Sequence, residues 1–192
     1  MISRRGLLST LAAASAAWAV PLDRALARDI DDVKPTLQRC SADTVWVRRD
    51  GASPNEMLIR FRKPDTRELD HDGVLALSWF WRDIRDHGQG VWIEPRLFDV
   101  LSWMQVACST IAGADKPIQL VSGYRTPERN RRIEGAARRS MHIFGKAADI
   151  TVPGFTPLQV GQVAAAAGAG GIGLYSGFTH VDVGRVRAWQ GR

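Results

Sequence analysis

The chain has 192 residues, 45% of them hydrophobic and 24% charged; this excludes a disordered tail and leaves room for one packed core, not two large domains. A formal charge of +6, from 26 basic and 20 acidic residues, favours anionic partners without naming them. Two cysteines are too few for a disulfide-rich scaffold or a four-cysteine zinc site.

Residues 1–27 read as an export signal. Ser3-Arg4-Arg5 precedes Leu7-Leu8 and an alanine-rich apolar stretch to Val20, and Ala25-Leu26-Ala27 has the small-x-small form of a signal peptidase site. The stretch is about 15 residues, short of the about 20 needed to span a bilayer; an uncleaved anchor helix is the competing reading. The arginine pair looks like the twin-arginine signal of bacteria, which exports folded proteins. Removing Arg4, Arg5, Arg24 and Asp23 with the signal lowers the charge from +6 to +4. Outside the cytoplasm the abundant anionic polymers are cell wall and membrane surface. An exported protein is therefore expected, with no nucleic-acid partner and no stable membrane span once the signal is gone.

Residues 28–43 read as an N-terminal arm, and 44–192 as the functional domain. Cys40 and Cys108 could pair in an oxidising compartment; the simpler expectation is two small buried residues. Thr44–Arg48 and Met57–Phe61, around an Asp50–Asn55 turn, predict a β-hairpin. Asp72–His87 predicts an amphipathic helix stopped by Gly88, and Pro95–Ala112 a second. Trp79, Trp81, Trp92 and Trp103 are expected in the core, while Trp189 is a candidate for lining a cleft. Ile118–Ser122 predicts a strand, Pro127–Glu134 a short polar helix, and Ala147–Val152 a strand ended by Pro153-Gly154. Thr156 caps a helix with Pro157 at its first position. Gly171–Tyr175 and Phe178–Val183 predict two strands around Ser176-Gly177. Helices first and short strands later imply an α+β fold whose small sheet carries the chemistry.

Of the four histidines, two stand near carboxylates in a suggestive pattern. His142 precedes Asp149 by seven residues, with Gly145 between them to turn the chain; His180 comes from a later strand. Two imidazoles and one carboxylate suit zinc, and three protein ligands leave a position for water. Plain structural roles fit the same residues: a loop donor for His142, a turn hydrogen bond for Asp149, a half-buried strand histidine for His180.

The wider pattern is Ser122-Gly123-Tyr124-Arg125, Ser140-x-His142-x-x-Gly145-x-Ala147-x-Asp149 and His180-x-Asp182. It resembles the zinc D-Ala-D-Ala metallopeptidases, which share their site with lysostaphin-type enzymes and the hedgehog zinc domain. The resemblance extends over roughly residues 45–190, including Leu77–Asp83 and Gly170–Tyr175. It implies a small antiparallel sheet with helices packed around it, and Zn2+ held by His142, Asp149 and His180. The implied reaction is hydrolysis of a peptide bond in peptidoglycan stem peptides, the cross-link between two diaminopimelate residues (the 3–3 type) being the expected target.

Arg125 would stabilise the oxyanion or hold a substrate carboxylate, since its planar fork suits both. Its plainer role is a salt bridge at a strand end. Some relatives carry a general base at the position of Gly177 or of Phe178, and neither residue here can serve. Asp182, on the same strand face as His180, would then take the water's proton or orient a ligand histidine. The basic stretch Arg125, Arg129, Arg131, Arg132, Arg138, Arg139 and Lys146 would steer an anionic polymer or form an ordinary solvated face. Competing functions are a D,D-carboxypeptidase or dipeptidase on stem peptides, and a non-catalytic zinc-containing wall-binding module.

Overall fold

Each end of the short strand β1 (Thr44–Arg48) is held by a different partner. Its last residues pair in parallel with β3 (Ile118–Ser122), from Val47 opposite Ile118. Before that register begins, Trp46 has no strand on this side. There the buried Gln105 amide accepts from the Trp46 N–H (2.9 Å) and donates to the Trp46 carbonyl (2.6 Å). Gln105 belongs to α2 (Pro95–Ala112), so one buried amide locks this helix to the sheet while satisfying the strand's backbone. β2 (Glu56–Arg60) closes the other side of β1 as an antiparallel hairpin.

The computed structural model describes residues 40–191; the expected export signal and all but the end of the expected N-terminal arm lie outside them. The remaining elements are α1 (His71–Phe80), α3 (Pro127–Arg132), β4 (Ala147–Thr151), α4 (Pro157–Ala166), β5 (Gly171–Leu174), β6 (Thr179–Asp182) and β7 (Arg187–Gln190), with a 3-10 turn at Met141–Phe144. The strands form one sheet in the order β2-β1-β3-β4-β6-β5-β7. The expected mixture of helices and strands holds, but the small antiparallel sheet does not. Seven strands take part, and the pairs β1·β3 and β5·β7 are parallel. Parallel neighbours need a long crossover, which α1 and α2 supply between β2 and β3. β7 adds itself to the free side of β5; four residues with alternating exposure gave it little signal in the sequence.

α1 ends at Phe80, seven residues before the expected stop at His87. Tertiary donors take its last carbonyls. Arg49, itself buried, donates to the Phe80 and Arg82 carbonyls at 2.8 and 2.7 Å, and the Tyr124 N–H reaches the Trp81 carbonyl at 2.8 Å. With these oxygens satisfied, continuing the helix gains nothing. Trp81 is fully buried, edge-on to Phe98 at 5.2 Å. Burial of side chains such as Phe61 and Phe98 contributes roughly 1.5–3 kcal/mol each.

Trp79 and Trp92 depart from their expected core positions: they are 58% and 45% exposed, beside Leu75 at 60%. α1 is apolar on two faces, so hydrophobic spacing could not tell which one turns inward. The guanidinium of Arg82 covers the Trp79 ring at 4.4 Å, and His71 lies 5.5 Å from Trp92. Cys40 and Cys108 are both free and buried, and burial pushes their thiols up to about 11 and about 12. No helix among the described residues is long and apolar enough to cross a membrane.

Candidate metal centre

The middle of the sheet sets the first two candidate ligands. Asp149 on β4 lies directly opposite His180 on β6 in the antiparallel register. Their side chains therefore share one face, and His180 Nδ1 stands 2.9 Å from Asp149 Oδ1. His142 arrives from the 3-10 turn. The Ser140 hydroxyl opens that turn by accepting from the His142 N–H at 3.4 Å, and Gly145 closes it at φ +64°. A Cβ on Gly145 would lie 2.7 Å from the Trp92 carbonyl oxygen, so a larger residue is excluded by both backbone angle and space. His142 Nε2 then sits 3.1 Å from Asp149 Oδ1 and 3.1 Å from His180 Nδ1.

The outer nitrogens decide what the inner ones can do. His142 Nδ1 is 2.6 Å from the Gly123 carbonyl, which can only accept, so Nδ1 carries the proton. His180 Nε2 is 3.0 Å from Asp182 Oδ2 and donates to it. Both inner nitrogens then offer lone pairs to the point that Asp149 Oδ1 faces. Three electron-rich atoms this close repel unless a proton or a cation sits among them. Tetrahedral zinc, with bonds of about 2.0–2.2 Å, needs ligand atoms about 3.3 Å or slightly more apart, close to the separations seen. The donor set fits a borderline-soft divalent ion.

The electrostatics point the same way. Burial disfavours the His180 imidazolium, but hydrogen bonds and charge from Asp149 and Asp182 outweigh it and raise its pKa. Burial lowers the pKa of the fully enclosed His142 despite Asp149. Burial alone would raise Asp149; its two histidines and Arg125 hold it well below the usual carboxylate range. Asp149 thus stays ionised where it faces the two inner imidazole nitrogens.

A second layer fixes the first. Both oxygens of the fully buried Asp182 are occupied: it accepts from His180, from the Gly171 and Gly184 N–H groups (3.0 and 2.8 Å), and from two nitrogens of Arg187 (3.1 and 2.5 Å). Gly123 is pressed against Trp81, where a Cβ would lie 2.4 Å from the carbonyl oxygen. This contact sets the carbonyl that holds His142. Asp83, buried below the same loop, accepts from the Thr126 N–H (3.0 Å) and from Arg129 (2.6 Å). Arg125 donates through Nε to Ser122 Oγ at 2.9 Å and pairs through Nη2 with Asp149.

A cleft of about 620 Å³ opens over these groups. Arg125, Asp149, both histidines and Trp189 line it, as do Tyr175 and Phe178, whose rings stack at 4.4 Å. Every sequence-expected site residue is brought to this place, though Asp182 sits behind His180 and not in the cleft. Arg187 was missed in the sequence. Its only signal was the Arg187-x-Trp189 alternation, which puts both residues on one face of β7. The basic stretch divides: Arg129 goes to Asp83 and Arg131 to Glu128, and only Arg125 and Arg139 of the seven reach the cleft.

Residues 53–189 match the family described as peptidoglycan L,D-endopeptidase MepK. The chain belongs to this family. Two of its relatives illustrate the likeness. The peptidoglycan L,D-endopeptidase MepK of Escherichia coli K12 is 35% identical over 131 residues, 65% of this chain and 69% of the relative. A probable peptidoglycan L,D-endopeptidase MepK of Haemophilus influenzae is 31% identical over 157 residues, 73% and 82% of the two lengths. The MepK match spans the whole triad, Arg125, Asp182 and Arg187.

Proposed function

We propose that this chain is an exported, zinc-dependent murein endopeptidase that hydrolyses peptide cross-links of peptidoglycan, the 3–3 diaminopimelate type in particular. The carrying observation is the convergence of His142, Asp149 and His180 with both outer imidazole nitrogens already tied. Membership of a family described as peptidoglycan L,D-endopeptidases supports the substrate class.

His142 Nε2, His180 Nδ1 and a carboxylate oxygen of Asp149 would hold the ion. Bound there, zinc would supply a Lewis acid and lower the pKa of a water from about 15.7 towards about 7. The protein's own groups do the rest. Arg125 is anchored by Ser122 and Asp149, and its Nη1 makes no hydrogen bond to another described residue. It is placed to take the oxyanion that develops on the scissile carbonyl, where a fixed donor needs no reorganisation. Asp182 is read as the group that fixes His180's tautomer; its five hydrogen bonds leave no lone pair facing the cleft for the water's proton. Arg187 holds Asp182. The stacked Tyr175 and Phe178 with Trp189 give an apolar wall against which a peptide can lie.

Digestion of defined 3–3 and 4–3 cross-linked muropeptides by the chain from residue 28, with and without a chelator, tests this reading. Chelator-sensitive release of monomers from the 3–3 dimer, restored by zinc, is expected. Release of single terminal residues would instead assign a carboxypeptidase. No release by folded, zinc-loaded protein would leave a wall-binding module.

A further inference from the structure

Two exposed, charged side chains of the cleft have no partner among the described residues. Glu134 and Arg139 both line it, and no hydrogen bond or ion pair joins either to another described residue, or to each other. The other cleft arginines are engaged, Arg125 with Asp149 and Arg187 with Asp182. A charge of each sign, without a partner among the described residues, therefore lines the same space.

Both belong to one short segment, and it is anchored. Residues 133–140 fold as two successive turns, closed by Ala136 N–H to the Ile133 carbonyl (3.2 Å) and Ser140 N–H to the Ala137 carbonyl (3.1 Å), with Gly135 at φ +74°. The buried Asn130 side chain holds the middle by donating to the Ala137 carbonyl at 3.0 Å. The downstream end runs into Ser140, whose hydroxyl caps the turn carrying His142. The two charges are thus presented from one side of the cleft, at a set distance along the chain from the donor cluster.

A charge pair of this kind complements a zwitterion. We infer that Glu134 and Arg139 form a specificity subsite for the free ammonium and carboxylate at the far end of a diaminopimelate side chain. That diaminopimelate is the residue contributing the scissile carbonyl. This rests on the proposed murein endopeptidase reading. In a 3–3 cross-link that residue keeps both its distal amino and its distal carboxyl group. In a 4–3 cross-link the carbonyl comes from D-alanine, which offers a methyl group alone. Glu134 accepts from the ammonium; the guanidinium fork of Arg139 donates to the carboxylate. With D-alanine in place both charges stay hydrated and neither gains a partner, so the 4–3 dimer forgoes the two contacts that favour the 3–3.

The test uses three 3–3-type dimers differing only in the residue that gives the carbonyl: diaminopimelate, lysine (no distal carboxylate) and norleucine (neither charge). kcat/KM is measured on zinc-loaded protein, and binding of each uncleaved dimer on metal-depleted protein. The wild type is expected to prefer diaminopimelate over lysine, and lysine over norleucine, by up to about fivefold at each step, the most that one solvent-exposed ion pair contributes. Arg139→Gln should erase the first preference and Glu134→Gln the second. A uniform loss on all three dimers with Glu134→Gln would overturn the inference and make Glu134 a participant in the bond chemistry. Equal binding and cleavage of the three by the wild type would also overturn it, while leaving the endopeptidase reading intact. If the wild type cleaves none, that reading falls, and the binding series still decides the subsite: graded affinities support it, equal affinities end it.

Discussion

The site is built from two halves that reach the same point by different means. Asp149 and His180 come from neighbouring strands in the middle of the sheet, and backbone register alone sets them side by side. His142, Gly123 and Arg125 come from loops, and each is held by contacts outside its own element: Trp92 against Gly145, Trp81 against Gly123, Ser122 under Arg125. The sheet half is tied to a cooperative ladder, so losing a side chain removes a ligand without moving the backbone. The loop half depends on close backbone approaches, so a single added methyl displaces the ligand itself. A pair set by strand register and a third ligand fixed by loop contacts together hold the donor geometry.

The largest expected effect breaks the sheet half. His180→Ala should abolish bound metal and turnover while far-ultraviolet circular dichroism stays native; a metal-loaded, active variant would show that the triad is not the site. Asp182→Asn comes next. It weakens the acceptor that fixes His180's tautomer, and metal affinity should fall roughly 10–100-fold, read by competition with a chromophoric chelator. Near-normal affinity with lost turnover would instead make Asp182 the proton acceptor.

Breaking the loop half should look different. Gly145→Ala forces an L residue to φ +64° against the Trp92 carbonyl. It should cost about 1–3 kcal/mol of stability, seen as a lower melting temperature of the metal-free protein, together with weakened metal binding. His180→Ala should not lower that melting temperature by as much. Arg187→Ala removes a half-exposed donor pair from Asp182, which keeps His180 and two backbone N–H groups. Metal affinity should drop by about fivefold at most.

Acid provides the finest test. Burial would raise the Asp182 carboxyl, but its bonds from His180 and Arg187 hold it below the usual range. The unfolded chain then takes up that proton at a higher pH than the folded one. The stabilisation is complete above about pH 4 and is lost as pH falls below it. Melting of metal-free Asp182→Asn should therefore fall less steeply with acid than that of the wild type.

The triad could be read in the sequence because each member lies in a local element with its own signals. Ser140 and Gly145 bracket a turn, Ala147–Thr151 is a plain buried strand, and His180-x-Asp182 alternates on one face. What holds the triad was hidden, because it depends on contacts between distant segments. Nothing local shows that a carbonyl at Trp81 will meet Gly123, or that Arg49 will end α1 at Phe80. Arg187 escaped notice because β7 is a four-residue edge strand whose pairing with β5 is parallel and non-consecutive. Trp79 and Trp92 were misplaced because hydrophobic spacing records apolar faces, not which face is covered.

One measurement reaches the central claim most directly: metal content of the purified protein by mass spectrometry, for the wild type and for Asp149→Ala and His180→Ala shown to be folded. One equivalent of zinc per wild-type chain, absent from both variants, is the expected result. Wild-type protein that cleaves cross-linked muropeptides without bound metal, or variants that retain the full equivalent, would contradict the account.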